Sequence, residues 1–111
     1  MEIDQIYDFV DGQNHIDLAV KTAPAGHGSG PGFVWLGGYR SGMAGTKAEA
    51  VVTQAAALGL ASLRYDYSGH GASSGKFEDG TISGWVAQSL AVLRAFSVGP
   101  QILVGSSMGG W

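Results

Sequence analysis

Hydrophobic and polar positions change period several times along the chain, and each change marks an element. Residues Ile6 to Val10 and His15 to Lys21 are apolar-rich segments on either side of Asp11-Gly12-Gln13-Asn14, and Ile16, Leu18 and Val20 alternate as in a half-buried strand. Together they predict an antiparallel hairpin. Thr22 to Pro31 contains Gly26, Gly28, Gly30 and two prolines and reads as a loop between elements. Phe33-Val34-Trp35-Leu36 does not alternate at all, the pattern of a strand buried on both faces of a parallel sheet. It opens into the glycine loop Gly37-Gly38-Tyr39-Arg40-Ser41-Gly42.

The period then becomes helical. Thr46 and Glu49 are spaced as a capping box, Ala48, Val51, Val52, Ala55 and Leu58 share one helical face, and Gly59 is placed to end the helix. Leu60 to Tyr65 returns as a strand, and strand, helix, strand at this spacing implies parallel pairing through a right-handed crossover. Asp66 to Gly75 is too rich in glycine to be regular. Thr81 to Phe96 has helical spacing through Ile82, Trp85, Val86, Leu90, Leu93 and Phe96, with Glu78 and Asp79 at its dipole-favoured start and Gly99-Pro100 after its end. Gln101 to Val104 is a third apolar strand. No internal repeat interrupts this order.

Composition narrows the class. The chain has 111 residues, 45% hydrophobic and 14% charged, which is globular composition with material for one modest core. Its formal net charge is -3 and its six basic residues are scattered, so neither a nucleic-acid footprint nor a polybasic membrane patch is supported; a small or acylated substrate is expected. Cys is absent, which removes disulfides and thiolate metal sites. No run approaches the roughly 18 apolar residues of a membrane span. The start, Met1-Glu2-Ile3-Asp4-Gln5, is acidic where a targeting peptide is basic, so the expectation is a soluble, cytoplasmic protein.

The candidate chemistry lies at the last strand. Ile102-Leu103-Val104 runs into Gly105-Ser106-Ser107-Met108-Gly109, a Gly-x-Ser-x-Gly turn in which a strained strand-to-helix corner exposes the central hydroxyl. Ser107 is read as a nucleophile, with the N-H of Met108 as half of an oxyanion hole. Gly105 and Gly109 then have a steric cause, since side chains there would collide. Gly71-Ala72-Ser73-Ser74-Gly75 matches the same pattern. No strand runs directly into it and no helical period follows, so it is read as a polar loop. A flexible Gly/Ser tail is the alternative for Gly105 to Gly110. Asp4, Asp8, Asp11 and Asp17 are read as solvated, since their spacing fits no metal-ligand loop. His15 and His27 are given the same reading. No metal or other cofactor is expected, and neither phosphate-loop pattern occurs at Gly105 to Gly110.

Three stretches, in this order, resemble the α/β-hydrolase superfamily: Leu36-Gly37-Gly38-Tyr39 as an oxyanion loop, Asp66, Gly69, Gly71 and Ser73 as an Asp-x-x-Gly-x-Gly-x-Ser turn, and the elbow around Ser107. The segments Gly38 to Ala48, Arg64 to Gly69 and Gly99 to Trp111 resemble a branch of acyl-protein thioesterases and acyl-glucuronide esterases. The resemblance runs from about Phe33 to the end. It implies an α/β fold with strand order 1-2-4-3-5-6-7-8, of which residues 1-111 are the N-terminal part of one domain, ending after the nucleophile elbow and leaving Ile102 to Val104 as an edge. It makes Ser107 the nucleophile and the N-H groups of Tyr39 and Met108 the oxyanion hole. The family order is Ser, then Asp or Glu, then His, so Asp66 is assigned structural work on the Gly69 to Ser73 turn, and the triad acid and base are expected beyond this chain. His70 and Arg40 are candidate substrate contacts, Arg40 for an anionic leaving group. The expected activity is hydrolysis of a carboxylic ester or thioester on a small molecule or an acylated protein. The alternative is a non-catalytic hydrolase-like binding domain.

Overall fold

Gly12 begins the fold. In the computed structural model, which describes residues 1–111, β1 (Ile3–Asp11) and β2 (Asn14–Ala23) pair antiparallel from Ile3 opposite Thr22 to Asp11 opposite Asn14. Only Gly12 and Gln13 remain for the turn. Gly12 takes φ 63°, a left-handed conformation that a glycine enters without a Cβ clash.

β3 (Gly32–Leu36), β4 (Ser62–Tyr65) and β5 (Gln101–Gly105) complete a five-stranded sheet of order β1-β2-β4-β3-β5. β4 is antiparallel to β2, while β3 is parallel to both β4 and β5, with Leu36 level with Gly105. The carboxyl ends of β3, β4 and β5 therefore open onto one rim, where open α/β sheets place their ligands.

Two helices cover the sheet. Arg64 of β4 meets Glu49 of α1 (Thr46–Ala57), whereas the hydroxyl of its neighbour Tyr65 donates to Ser89 Oγ of α2 (Ile82–Phe96) at 2.6 Å. Successive strand side chains point to opposite faces, so α1 and α2 lie on opposite sides. The core on the α2 side joins Leu18, Val20, Val34, Leu63, Tyr65, Tyr67, Trp85 and Val92. Each aliphatic side chain fully buried there contributes about 1.5–3 kcal/mol. On the α1 side Ala48, Val52 and Ala55 are buried, as are Trp35 and Met43.

The helix ends differ from the sequence reading. Thr46 is the first helical residue and not a cap: Gly45 occupies the cap position without a side-chain hydrogen bond, so no capping box forms. Glu49 turns instead to Arg64, whose Nη1 donates to its Oε1 at 2.9 Å, because a buried guanidinium is a stronger partner than a backbone N-H. At the other end Gly59 has φ 71°; its N-H donates to Ala56 O and that of Leu60 to Ala55 O, the paired bonds of a Schellman stop. Glu78 and Asp79 belong to a separate 3-10 turn, Phe77–Asp79, and not to the start of α2. The cap of α2 is Thr81, whose Oγ1 accepts from the Gly84 N-H at 3.0 Å.

The buried stripe of α2 is also narrower than its apolar pattern. Trp85, Gln88 and Val92 are buried, while Ile82, Val86 and Leu90 stay between 43% and 53% exposed. β5 is an edge strand, with Ile102 and Leu103 exposed.

Candidate active site

Three loops meet at the rim, and the tightest is the elbow after β5. Ser107 has φ 55° and begins the 3-10 turn Ser107–Gly110. A non-glycine residue in this region costs on the order of 1–3 kcal/mol and persists only where its surroundings hold it. Here the Ser106 N-H donates to Leu36 O at 3.1 Å and the Gly109 N-H to Ser106 O at 2.9 Å. A Cβ on Gly105 would overlap the Gly109 carbonyl, and one on Gly109 would overlap the Leu36 carbonyl of β3. Neither glycine can be replaced without moving backbone. The Ser107 side chain is exposed at the rim.

The loop after β3 lies across this corner. A Cβ on Gly38 would stand 3.2 Å from Ser106 O and 3.5 Å from Ser107 Cβ. The Ser41 N-H closes the loop onto Gly38 O at 3.1 Å, while the Tyr39 N-H has no acceptor within the chain. Arg40, with φ 58°, and Ser107 are the two non-glycine residues of positive φ, and they sit on these two facing loops.

The loop after β4 braces the second. The Tyr67 hydroxyl donates to Gly37 O at 2.8 Å, the Arg40 N-H donates to His70 Nε2 at 3.1 Å, and the Met43 N-H donates to Asp66 Oδ1 at 2.7 Å. Within its own turn, Asp66 accepts from the Ala72 N-H through Oδ2 at 3.0 Å and from Ser73 Oγ through its carbonyl at 2.7 Å. A Cβ on Gly71 would overlap the Asp66 carboxylate. Burial pushes the Tyr67 phenol above the usual tyrosine range and so keeps it a donor. Tyr67 was not singled out from the sequence, where an aromatic residue beside a glycine turn has no specific meaning.

The remaining candidates separate. Ser73 Oγ accepts from the Ala19 N-H at 2.9 Å as well as donating to Asp66 O, so this serine is tied into the fold. Arg40 projects outward and its guanidinium lies 4.4 Å from the centroid of the Phe77 ring. His70 departs from the expectation of a substrate contact: it is buried, with Nδ1 3.0 Å from Ser68 O and Nε2 occupied by Arg40. His15 lies on the hairpin against Asp8, and the His27 ring lies against Gly59. No histidine of these residues is hydrogen-bonded to Ser107.

This sheet order, with the serine corner at the end of β5 and a glycine loop over it, is that of the N-terminal part of the α/β-hydrolase fold. Its sequence is similar to the mitochondrial palmitoyl-protein thioesterase ABHD10 of Homo sapiens, 46% identical over 84 residues, 76% of this chain and 28% of that protein. Among solved structures, an Agrobacterium vitis S4 protein assigned to the hydrolases superposes with a TM-score of 0.95 at 46% identity, covering 100% of this chain and 42% of the other. The mouse α/β hydrolase domain-containing protein 10 superposes with a TM-score of 0.83 at 39% identity, covering 96% and 41%. No family model matches the chain. The chain thus spans well under half the length of these relatives. The mitochondrial name of the curated relatives does not support the cytoplasmic expectation. No helix is long and apolar enough to cross a membrane.

Proposed function

We propose that these residues carry the nucleophile and the oxyanion loop of a serine hydrolase acting on carboxylic esters or thioesters. The observation that carries the reading is the facing pair of strained loops, with Ser107 at φ 55° and Gly38 so close that a Cβ on it would stand 3.5 Å from the Ser107 Cβ. Ser107 Oγ attacks the substrate carbonyl carbon while a base takes its proton; the carbonyl oxygen becomes an oxyanion that accepts from the N-H groups of Tyr39 and Met108. Collapse expels the alcohol or thiol and leaves an acyl-serine, which water hydrolyses to the free acid. The acid and base of the triad come from residues outside these 111. The name of the curated relatives supports acyl-protein thioesters as substrates; the likeness in the Gly38 to Ala48 segment adds acyl glucuronides, for which Arg40 would pair with the anionic leaving group.

A fluorophosphonate probe tests this on the full natural polypeptide. It labels the wild type and the Ser73→Ala variant and fails to label Ser107→Ala. Labelling that survives Ser107→Ala and disappears in Ser73→Ala would move the nucleophile to the other motif.

A further inference from the structure

His70 is a buried, polar, ionisable side chain that the reaction above does not use. Its two partners determine its hydrogens. Ser68 O can only accept, so Nδ1 carries the proton; the Arg40 N-H can only donate, so Nε2 presents a lone pair. The ring is fitted on three sides, with ring centroids of Tyr67 at 5.4 Å, Phe77 at 5.3 Å and Trp85 at 5.1 Å. Phe77 in turn carries the Arg40 guanidinium and packs edge-to-face with the Tyr39 ring. Arg40 is thus held at its backbone by His70 and at its side chain by a ring that packs on His70.

That grip falls on a strained residue. Arg40 keeps φ 58° without being glycine, and it directly follows Tyr39, whose N-H has no acceptor within the chain. If the Arg40 N-H lost its acceptor, the residue would have a partly buried unpaired donor and a disfavoured backbone together, and rotation of the Tyr39–Arg40 peptide region would relieve both.

We propose that His70, as the Nδ1-H tautomer, is a positioning residue that holds Arg40 in its left-handed conformation and thereby aims the Tyr39 N-H at the oxyanion. The inference rests on the hydrolase reading for its consequence in turnover, but its geometric content is independent of that reading.

The test uses the full natural polypeptide with His70→Phe and His70→Gln. Phenylalanine keeps a ring among Tyr67, Phe77 and Trp85 but has no acceptor; glutamine offers one acceptor and one donor. On a p-nitrophenyl ester, His70→Phe is expected to lower kcat on the order of 100-fold, the scale of a misplaced catalytic group, with KM changed little. His70→Gln should recover much of that loss. Equal kcat in wild type and a folded His70→Phe, or no better turnover in His70→Gln than in His70→Phe, would overturn the proposal. Nitrogen NMR supplies a readout without activity: it should show a protonated Nδ1, a bare Nε2 and a coupling across the hydrogen bond to the Arg40 amide. A protonated Nε2 near neutral pH would overturn the proposal by itself. A wild type inactive on every ester but showing that coupling would sink the hydrolase reading and leave the brace standing.

Discussion

The Tyr67 hydroxyl donates to the carbonyl of Gly37 at 2.8 Å, which joins the loop after β4 to the loop that lies over Ser107. The two residues are 30 positions apart, and the bond is buried. Since burial raises the Tyr67 phenol above its reference value of 10.0, the bond's sensitivity lies on the alkaline side.

A group whose folded pKa is raised contributes stability in full below its unfolded value and loses it as pH rises through the folded one. Stability should therefore hold up to about pH 10 and fall above it, with phenolate absorbance from Tyr67 rising only as the fold opens. In Tyr67→Phe this part of the alkaline loss should vanish, at a cost of about 1 kcal/mol at neutral pH for the missing hydrogen bond. Urea unfolding of both proteins between pH 7 and pH 11 measures it; parallel curves for the two would remove Tyr67 from the alkaline transition.

Gly38→Val should lower turnover far more than substrate binding. The added side chain meets Ser106 O and Ser107 Cβ, so the loop must lift and carry the Tyr39 N-H with it. Loss of one oxyanion donor costs on the order of 100-fold to 1,000-fold. Steady-state kinetics of the full natural polypeptide decide the matter, and an unchanged kcat in a folded variant would take this loop out of the mechanism.

Arg64 is buried and bonded to Glu2 through Nε at 2.9 Å and Nη2 at 2.5 Å, to Glu49 at 2.9 Å, and to Met43 O at 2.9 Å. Burial by itself would lower its pKa, but the two carboxylates outweigh that and raise it. Glu2→Gln should destabilise on the order of 3 kcal/mol, because it leaves the buried cation without its two-pronged partner. Glu49 is half exposed, so Glu49→Gln should cost less than about 1 kcal/mol. Chemical unfolding that ranks the two variants the other way would show that the ion pair on α1 dominates.

Expressed alone, these 111 residues should not hydrolyse esters at an enzymatic rate. None of His15, His27 and His70 is hydrogen-bonded to Ser107, and a serine triad without its histidine loses on the order of a millionfold in turnover, as in the subtilisin series. Exposed Ile102 and Leu103 on the β5 edge should also drive association. Side-by-side assays against the full natural polypeptide check both; activity within tenfold, abolished by Ser107→Ala, would require a base among these three histidines.

Local rules by themselves determined much of this protein. The apolar run Phe33 to Leu36, the helical period around Ala48 to Ala55 and Trp85 to Phe96 and the stop at Gly59 follow from period and from the steric freedom of glycine, which neighbouring residues suffice to express; the spacing of Gly105 and Gly109 marks the elbow, although the carbonyl that excludes a side chain at Gly109 is that of Leu36 in β3. The resemblance anticipated the strand order, and β1-β2-β4-β3-β5 agrees with it. Tertiary structure decided the rest. Glu49 left the expected capping box because Arg64, 15 residues on, is buried beneath it and needs an anion. His70 turned inward because the Arg40 amide and the Ser68 carbonyl, brought together only when the loops after β3 and β4 meet, match its two ring nitrogens.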